Sequence, residues 1–318
     1  MSAARKSTAG AARKSTAGAA RKSTAAAAAS PLAAAAQSVA AAAQSVAASP
    51  LAGPARIRAA FESAARAGRA ALIPYAVAGY PDAETSLRIA VAQIDAGADL
   101  LEIGLPYSDP LADGATLQRA STVALRHGAR LDDSIELVGR IHAARPDTPL
   151  VAMGYVNQVL GGRDGATVLR RLGEAGVCGF ILADLTPDEG ADLEAEAARH
   201  GIGIVYLVAP TTPAERRAYV ASRSQGFLYA VSLAGVTGAR KRLPPGVRGF
   251  LRDVRSVSPV PVAVGFGVSK PAHARELAAV ADGIIVASAL VDALGPDGQD
   301  IERMAALVRS LREATARA

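Results

Sequence analysis

The sequence predicts an α/β chain folded as a (β/α)8 TIM barrel, spanning residues 55–318 behind a repetitive N-terminal extension at 1–54. Three observations predict it. Eight short apolar runs alternate with stretches of helical periodicity, which is the order of a parallel sheet wrapped by helices. The runs are apolar throughout instead of alternating, as strands are when both faces are covered. The 264 residues of the body also match the length such a barrel needs, about 250. A doubly wound open sheet would share the alternation, but no G-x-G-x-x-G follows the first strand.

Ile57, Ala60, Phe61, Ala64 and Ala65 are spaced for a leading helix over 57–69. The run A-A-L-I-P-Y-A-V-A-G-Y-P at 70–81 is a first strand and its loop, closed by Gly79 and Pro81. A helix over 82–96 carries Leu87, Ile89, Val91 and Ile94 inward and ends at Gly97. The second strand is expected at 100–103, followed by helices at 115–127 and 132–144, the latter starting near Asp132 or Asp133. The third strand is read at 148–155 and a helix at 164–175, ending at Gly176. The fourth strand, 177–184, ends on an acid, Asp184, and a helix over 187–200 starts with Pro187 in its first turn. The fifth strand is read at 202–210, with a helix at 212–223. The sixth is read at 226–232, then a long loop at 233–245 and a helix at 246–256. The seventh is read at 260–267 with a helix at 269–279, and the eighth at 281–289, with a last helix at 300–315. A local echo runs through this order: D-A-G-A-D-L-L-E-I-G, E-A-G-V-C-G-F-I-L-A-D and A-V-A-D-G-I-I-V-A-S each close a helix on a small residue and enter a buried strand.

The extension cannot build a core. A-A-R-K-S-T-A recurs at 3–9, 11–17 and 19–25, and A-A-A-A-Q-S-V-A at 33–40 and 40–47, almost without large apolar residues. It is read as disordered: a solvated repeat expansion or translated upstream sequence. Its acid-free Arg/Ser/Ala composition also fits an organelle transit peptide or a weak polyanion contact. It carries the charge imbalance of the chain. Of 35 Lys and Arg residues, Arg5, Lys6, Arg13, Lys14, Arg21 and Lys22 lie in it, and removing these six leaves 29 basic residues against 29 acidic ones. The high pI therefore gives the folded body no nucleic-acid-binding surface. A single cysteine, Cys178, excludes a disulfide framework, and its apolar surroundings make it a buried inert thiol. No apolar run is long enough to span a membrane. A reducing, cytoplasmic setting is expected.

The chemistry concentrates at A-D-L-L-E-I-G-L-P-Y-S-D-P-L-A-D-G-A-T, residues 98–116. Glu102 is an ionisable group inside an apolar strand, where desolvation is costly unless the carboxyl faces a cavity or a partner. Asp113 follows on the loop beyond the C-terminal end of that strand, the end at which barrel enzymes carry their active sites. One strand-held and one loop-held carboxyl suit a paired acid/base reaction. The blander reading is a paired core acid at Glu102 and turn formers at Asp109 and Asp113. After the seventh strand, G-F-G at 265–267 is followed by Val268 and Ser269. The eighth ends V-A-S-A, residues 286–289, and opens a helix. Small residues on these loops let backbone N–H groups approach a phosphate, and Gly235 and Gly238 after the sixth strand add a third edge. Read singly, these glycines are turns.

These motifs resemble the tryptophan synthase alpha subunit family: I-P-Y-A-V-A-G-Y-P (73–81), D-L-L-E-I-G-L-P-Y-S-D-P-L-A-D-G-A-T-L-Q (99–118), A-D-L-T-P-D-E (183–189), L-Y-A-V-S-L-A-G-V-T-G-A-R (228–240) and A-V-G-F-G-V-S (263–269), in the family's order from about Ile57 to the C-terminus. The resemblance implies a retro-aldol lyase that splits indole-3-glycerol phosphate into indole and glyceraldehyde 3-phosphate, with no metal and no cofactor of its own. It implies a PLP-dependent beta subunit as partner, in an alpha2beta2 heterotetramer. By the same resemblance Glu102 is the general acid/base at indole C3 and Asp113 holds the indole N–H. Tyr229 is then the active-site tyrosine, and Gly238, Gly267 and Ser288, with Gly265 nearby, hold the phosphate. The chain departs from the family pattern at Ala287, where Gly is usual, at Val77, where Thr is common, and at Ala115, where Pro is common. The alternatives are a free-standing indole-releasing lyase, with the same chemistry and no beta partner, and a non-catalytic paralogue that only activates a beta subunit, against which the intact Glu102 and Asp113 weigh. Arg240, Lys241 and Arg242 make the loop after the sixth strand basic, either a mobile lid or a solvated charge run.

Overall fold

The computed structural model describes residues 52–231, 243, 245–265 and 267–317. Gly235, Gly238, the basic triplet 240–242 and the repeats at 1–51 lie outside the described residues.

The first helix, α1 (Gly53–Arg66), starts four residues before the expected 57, with Pro54 in its first turn. Its apolar stripe, Ile57, Phe61 and Ala64, is buried. It plugs the N-terminal end of the barrel. The Gly53 N–H donates to the Gly201 carbonyl at 3.0 Å, and the Phe61 and Phe227 rings lie 5.7 Å apart. Two strand glycines make room for the plug: a Cβ on Gly179 would stand 2.8 Å from Ile57 Cδ1, and one on Gly283 2.6 Å from Phe61 Cε1.

The strands are β1 (Ala71–Val77), β2 (Leu101–Gly104), β3 (Leu150–Gly154), β4 (Val177–Leu182), β5 (Gly203–Val205), β6 (Leu207–Val208), β7 (Leu228–Val231), β8 (Val262–Gly265) and β9 (Gly283–Val286). All pairings among them are parallel, in the order β5-β4-β3-β2-β1-β9-β8-β7-β6. The expected fifth strand is split at Tyr206. Its hydroxyl turns away to donate to Glu194 Oε1 at 2.5 Å, and its N–H goes to Ser224 Oγ. One half of the split strand pairs with β4 and the other with β7, so nine segments close an eight-stranded ring. Interior and exterior alternate along each strand. Ala71, Ile73, Val151, Ile181, Val205, Ala263 and Ile285 fill the barrel with the α1 side chains. Leu72, Leu101, Ala152, Phe180, Ile204, Ala230, Val264 and Ile284 belong to the larger core under the helices.

The outer layer comprises α2 (Ala83–Asp95), α3 (Ala115–Arg126), α4 (Leu131–Ala144), α5 (Val156–Leu160), α6 (Gly165–Glu174), α7 (Ala191–Arg199), α8 (Ala214–Arg223), α9 (Val247–Val257), α10 (Pro271–Ala278), α11 (Ser288–Ala293) and α12 (Ile301–Ala314). Asp82 caps α2 by accepting from the Thr85 N–H at 2.9 Å. Two expectations are corrected here. Pro187 lies in a turn, and α7 begins four residues later. The short α5, directly after β3, lies between the expected strand at 148–155 and helix at 164–175, where the sequence predicts no element. Strands are also shorter than their apolar runs, because the runs continue into buried loops after the ladder ends. The helix-to-strand echo has a structural meaning. Asp99 accepts from the Leu72 N–H at 2.8 Å and Asp282 from the Val262 N–H at 2.9 Å, so each ties the start of its strand to the strand beside it. Asp99 is also held by a two-pronged pair with Arg69, at 2.6 and 2.7 Å.

Candidate active site

The C-terminal mouth of the barrel collects the acids and aromatic residues. Glu102 is the register partner of Tyr75 on β1 and of Val151 on β3. It shares inward parity with Leu100 of the interior cluster. It is 3% exposed, and its Oε2 is buried with no hydrogen-bond partner among the described residues. Burial first, and the Asp113 charge second, push its carboxyl up to about 8. Glu102 is therefore a neutral carboxylic acid at pH 7, able to give a proton.

Asp113 sits half-buried on the loop from β2 to α3. Its N–H donates to the Pro110 carbonyl at 3.1 Å, and its own carbonyl accepts from Gln118 Nε2 at 2.9 Å. These bonds fix the turn and leave the carboxyl to the chamber. Burial raises it to about 6, so it is mostly ionised at pH 7. The two carboxyls thus take opposite protonation states in one chamber, the arrangement an acid/base pair needs.

The loop is anchored by groups that the sequence reading missed. Tyr155, just beyond β3, accepts from the Ala112 N–H at 3.0 Å and stacks on Tyr107 with ring centres 5.1 Å apart. Asn157 Nδ2 donates to the Tyr107 hydroxyl at 3.1 Å. Gln158 Nε2 donates to the Leu105 and Pro106 carbonyls at 3.3 and 3.0 Å. Asp184 is structural: it accepts from the Val156 N–H at 2.8 Å and caps α5. The only sequence signal for the anchor was the G-Y step after the third strand.

Tyr229 is brought to the same chamber. Burial, then Glu102 and then Asp113 raise its phenol well above the ordinary value. A Cβ on Gly265 would stand 2.6 Å from its hydroxyl, so Gly265 makes room for Tyr229. Gly267 has φ +64°, a left-handed backbone suited to glycine, and follows β8. Ser288 opens α11 after β9, the strand paired with β8, so both small-residue loops lie at the same rim. Ala287, where the family pattern has Gly, precedes it with φ −118° and ψ −84°. Gly238, the third expected edge, lies outside the described residues. Among the described residues no group of three or more His, Cys, Asp or Glu is placed to hold a metal ion.

Comparison with known proteins agrees with this geometry. The family model for the tryptophan synthase alpha chain matches residues 61–317. The tryptophan synthase alpha chain of Roseiflexus sp. (strain RS-1) is 45% identical over 260 residues, 81% of this chain and 99% of that one. That of Deinococcus radiodurans is 44% identical over 254 residues, 80% of this chain and 93% of its own length. Among solved structures, a tryptophan synthase chain of Mycobacterium tuberculosis superposes with a TM-score of 0.76 at 39% identity, covering 83% of this chain and 99% of its own. A Legionella pneumophila alpha chain gives 0.73 at 33% identity, covering 82% and 97%. A barrel with paired carboxyls at its mouth, matched along its whole length by these relatives, belongs to the tryptophan synthase alpha chain family.

Proposed function

We propose that Glu102 and Asp113 carry out the reaction of this alpha subunit, the lyase step of tryptophan biosynthesis that cleaves indole-3-glycerol phosphate. The observation that carries the assignment is the buried, unpartnered Glu102 carboxyl, raised to about 8 beside an Asp113 held near 6.

The residue types fit the bond to be broken. Indole leaves as a carbanion equivalent and is a poor leaving group until C3 is protonated. Neutral Glu102 gives its proton to C3, and the ring becomes an indolenine cation. Ionised Asp113 accepts the ring N–H and stabilises that positive charge in a site shielded from water. The Glu102 carboxylate then takes the proton of the glycerol hydroxyl. The O–H pair becomes the aldehyde C=O, the C–C pair returns to the ring, and neutral indole leaves with glyceraldehyde 3-phosphate. Glu102 ends protonated, so the cycle balances with no metal or cofactor. Tyr229 lines the chamber. Gly265, Gly267, Ser288 and, from the loop outside the described residues, Gly238 hold the phosphate through backbone N–H groups.

The same face supports a beta-subunit partner in an alpha2beta2 assembly. Leu111 is 91% exposed on the loop from β2 to α3 and Leu160 51% exposed at the end of α5, and these two segments are tied together at the mouth of the site through Tyr107, Tyr155 and Asn157. Large apolar side chains left in water beside an active site suit a docking surface. No helix among the described residues is long and apolar enough to cross a membrane. A cytoplasmic location and an N-terminal extension, read as 1–54, that takes no part in the chemistry of the lyase domain complete this reading.

The test is product analysis with and without a beta subunit. Indole and glyceraldehyde 3-phosphate in equal amounts, released faster when the beta subunit is present and co-elutes, support the assignment. Separate elution with an unchanged rate refutes the partner, and absence of both products refutes the reaction.

A further inference from the structure

Tyr75 has no role in the scheme above, yet its phenol shares the chamber with both carboxyls. It is 3% exposed on β1 and is the register partner of Glu102. Ala71 and Ile73 of the same parity lie in the barrel interior, so Tyr75 faces the axis. Its ring leans toward the C-terminal mouth: a Cβ on Gly104 would stand 1.8 Å from the hydroxyl and 2.4 Å from Cζ. Tyr229 repeats the device on the other side of the barrel. Its register partner is Ala263, and its hydroxyl overhangs Gly265, two residues further along β8, as Tyr75 overhangs Gly104 along β2.

The titratable groups that face Tyr75 are all acids: Asp113 from the β2–α3 loop, Glu102 from β2, Tyr155 from the start of α5 and Tyr229 from β7. No lysine or arginine is among them. Glu102 must nevertheless pass through its carboxylate form in every turnover, and its Oε2 has no donor among the described residues. A carboxylate formed in such a place needs an O–H or N–H donor.

We propose that Tyr75 is a positioning residue whose hydroxyl donates a hydrogen bond to the Glu102 carboxyl when it is ionised. Once Glu102 has passed its proton to C3, the Tyr75 O–H turns to the new carboxylate, while the indole N–H satisfies Asp113. The phenol keeps its proton throughout; burial and the surrounding acids hold it well above its ordinary value. This deepens the lyase reading and rests on it.

The test is Tyr75→Phe, which keeps the ring and removes only the O–H, measured beside wild type and Glu102→Gln by indole release across the pH range. The expected result is kcat lower by about tenfold, as for loss of one hydrogen bond to a charged group, with KM within about twofold. The alkaline limb, set by ionisation of Glu102, should move up by roughly one pH unit. Wild-type kcat with unmoved limbs overturns the proposal, and so does a change confined to KM, which would mark a substrate contact. Carboxyl carbon-13 NMR titration of Glu102 in the two proteins gives an answer independent of turnover: a higher titration midpoint in Tyr75→Phe supports the hydrogen bond, and an unchanged one overturns it. A wild type that releases no indole would refute the lyase reading, and the titration would still decide the role of Tyr75.

Discussion

The paired carboxyls make a quantitative prediction about pH. In the proposed scheme the productive free enzyme has Glu102 protonated and Asp113 ionised. With Glu102 raised to about 8 and Asp113 to about 6, that form exists between the two values. Its share peaks near pH 7 at roughly four-fifths and falls to roughly a tenth at about pH 5 and about pH 9. On the acid side Asp113 gains a proton and can no longer meet the indolenine cation. On the alkaline side Glu102 loses the proton that C3 needs. The assay is kcat/KM for indole release at constant ionic strength, which reports ionisations of the free enzyme. Glu102→Asp, with a shorter reach but the same chemistry, should keep the bell shape at a lower height. A rate that is level from pH 5 to 9, or one that climbs steadily through the range, would refute the assignment of opposite protonation states.

Three further outcomes follow from the same geometry. Glu102→Gln should stabilise the fold: an acid whose folded value is about 8 against an ordinary 4.5 favours the native state while protonated, and that advantage is lost as pH rises from the ordinary value through the folded one. At pH 7 the variant should gain up to about 3 kcal/mol, seen as a higher Tm whose margin closes toward acid pH; a margin independent of pH would contradict it. Gly104→Ala would drive a methyl into the Tyr75 hydroxyl at 1.8 Å, so the phenol must move into the chamber; kcat/KM should fall by about tenfold or more at a stability cost of about 1–3 kcal/mol, whereas wild-type kinetics would show that the chamber is slack. Removing residues 1–51 should leave indole release unchanged; loss of activity would make the extension part of the enzyme.

The barrel was legible because its strands are unbroken apolar runs separated by helical periodicity, and covered strands leave that signature. What the runs could not show is where the ladder stops. The split at Tyr206 depends on a hydroxyl reaching Glu194 and on Ser224, contacts distant in sequence. Pro187 suits a helix start by local rule, but it lies in a turn closed by the Glu189 N–H on the Thr186 carbonyl. Glu102 and Asp113 stood out because a carboxyl in an apolar strand and another on the loop beyond it are chemically conspicuous. Tyr75, Tyr155 and Gln158 did not, because a tyrosine or glutamine beside a strand is ordinary until the fold shows which glycine it overhangs or which loop it ties. The helix-to-strand echo was visible, but its two aspartates, Asp99 and Asp282, acquired a purpose only when the neighbouring strand's N–H groups appeared opposite them.

The central claim is that the Glu102 carboxyl supplies the proton at C3. The most direct measurement is the single-turnover rate of indole-3-glycerol phosphate cleavage by Glu102→Gln against wild type at pH 7, with substrate binding measured in parallel. The account predicts a chemical step slower by roughly 10²–10⁴-fold, the usual contribution of a general acid/base, with binding nearly unchanged. A variant that cleaves within a few-fold of wild type would place the proton donor elsewhere.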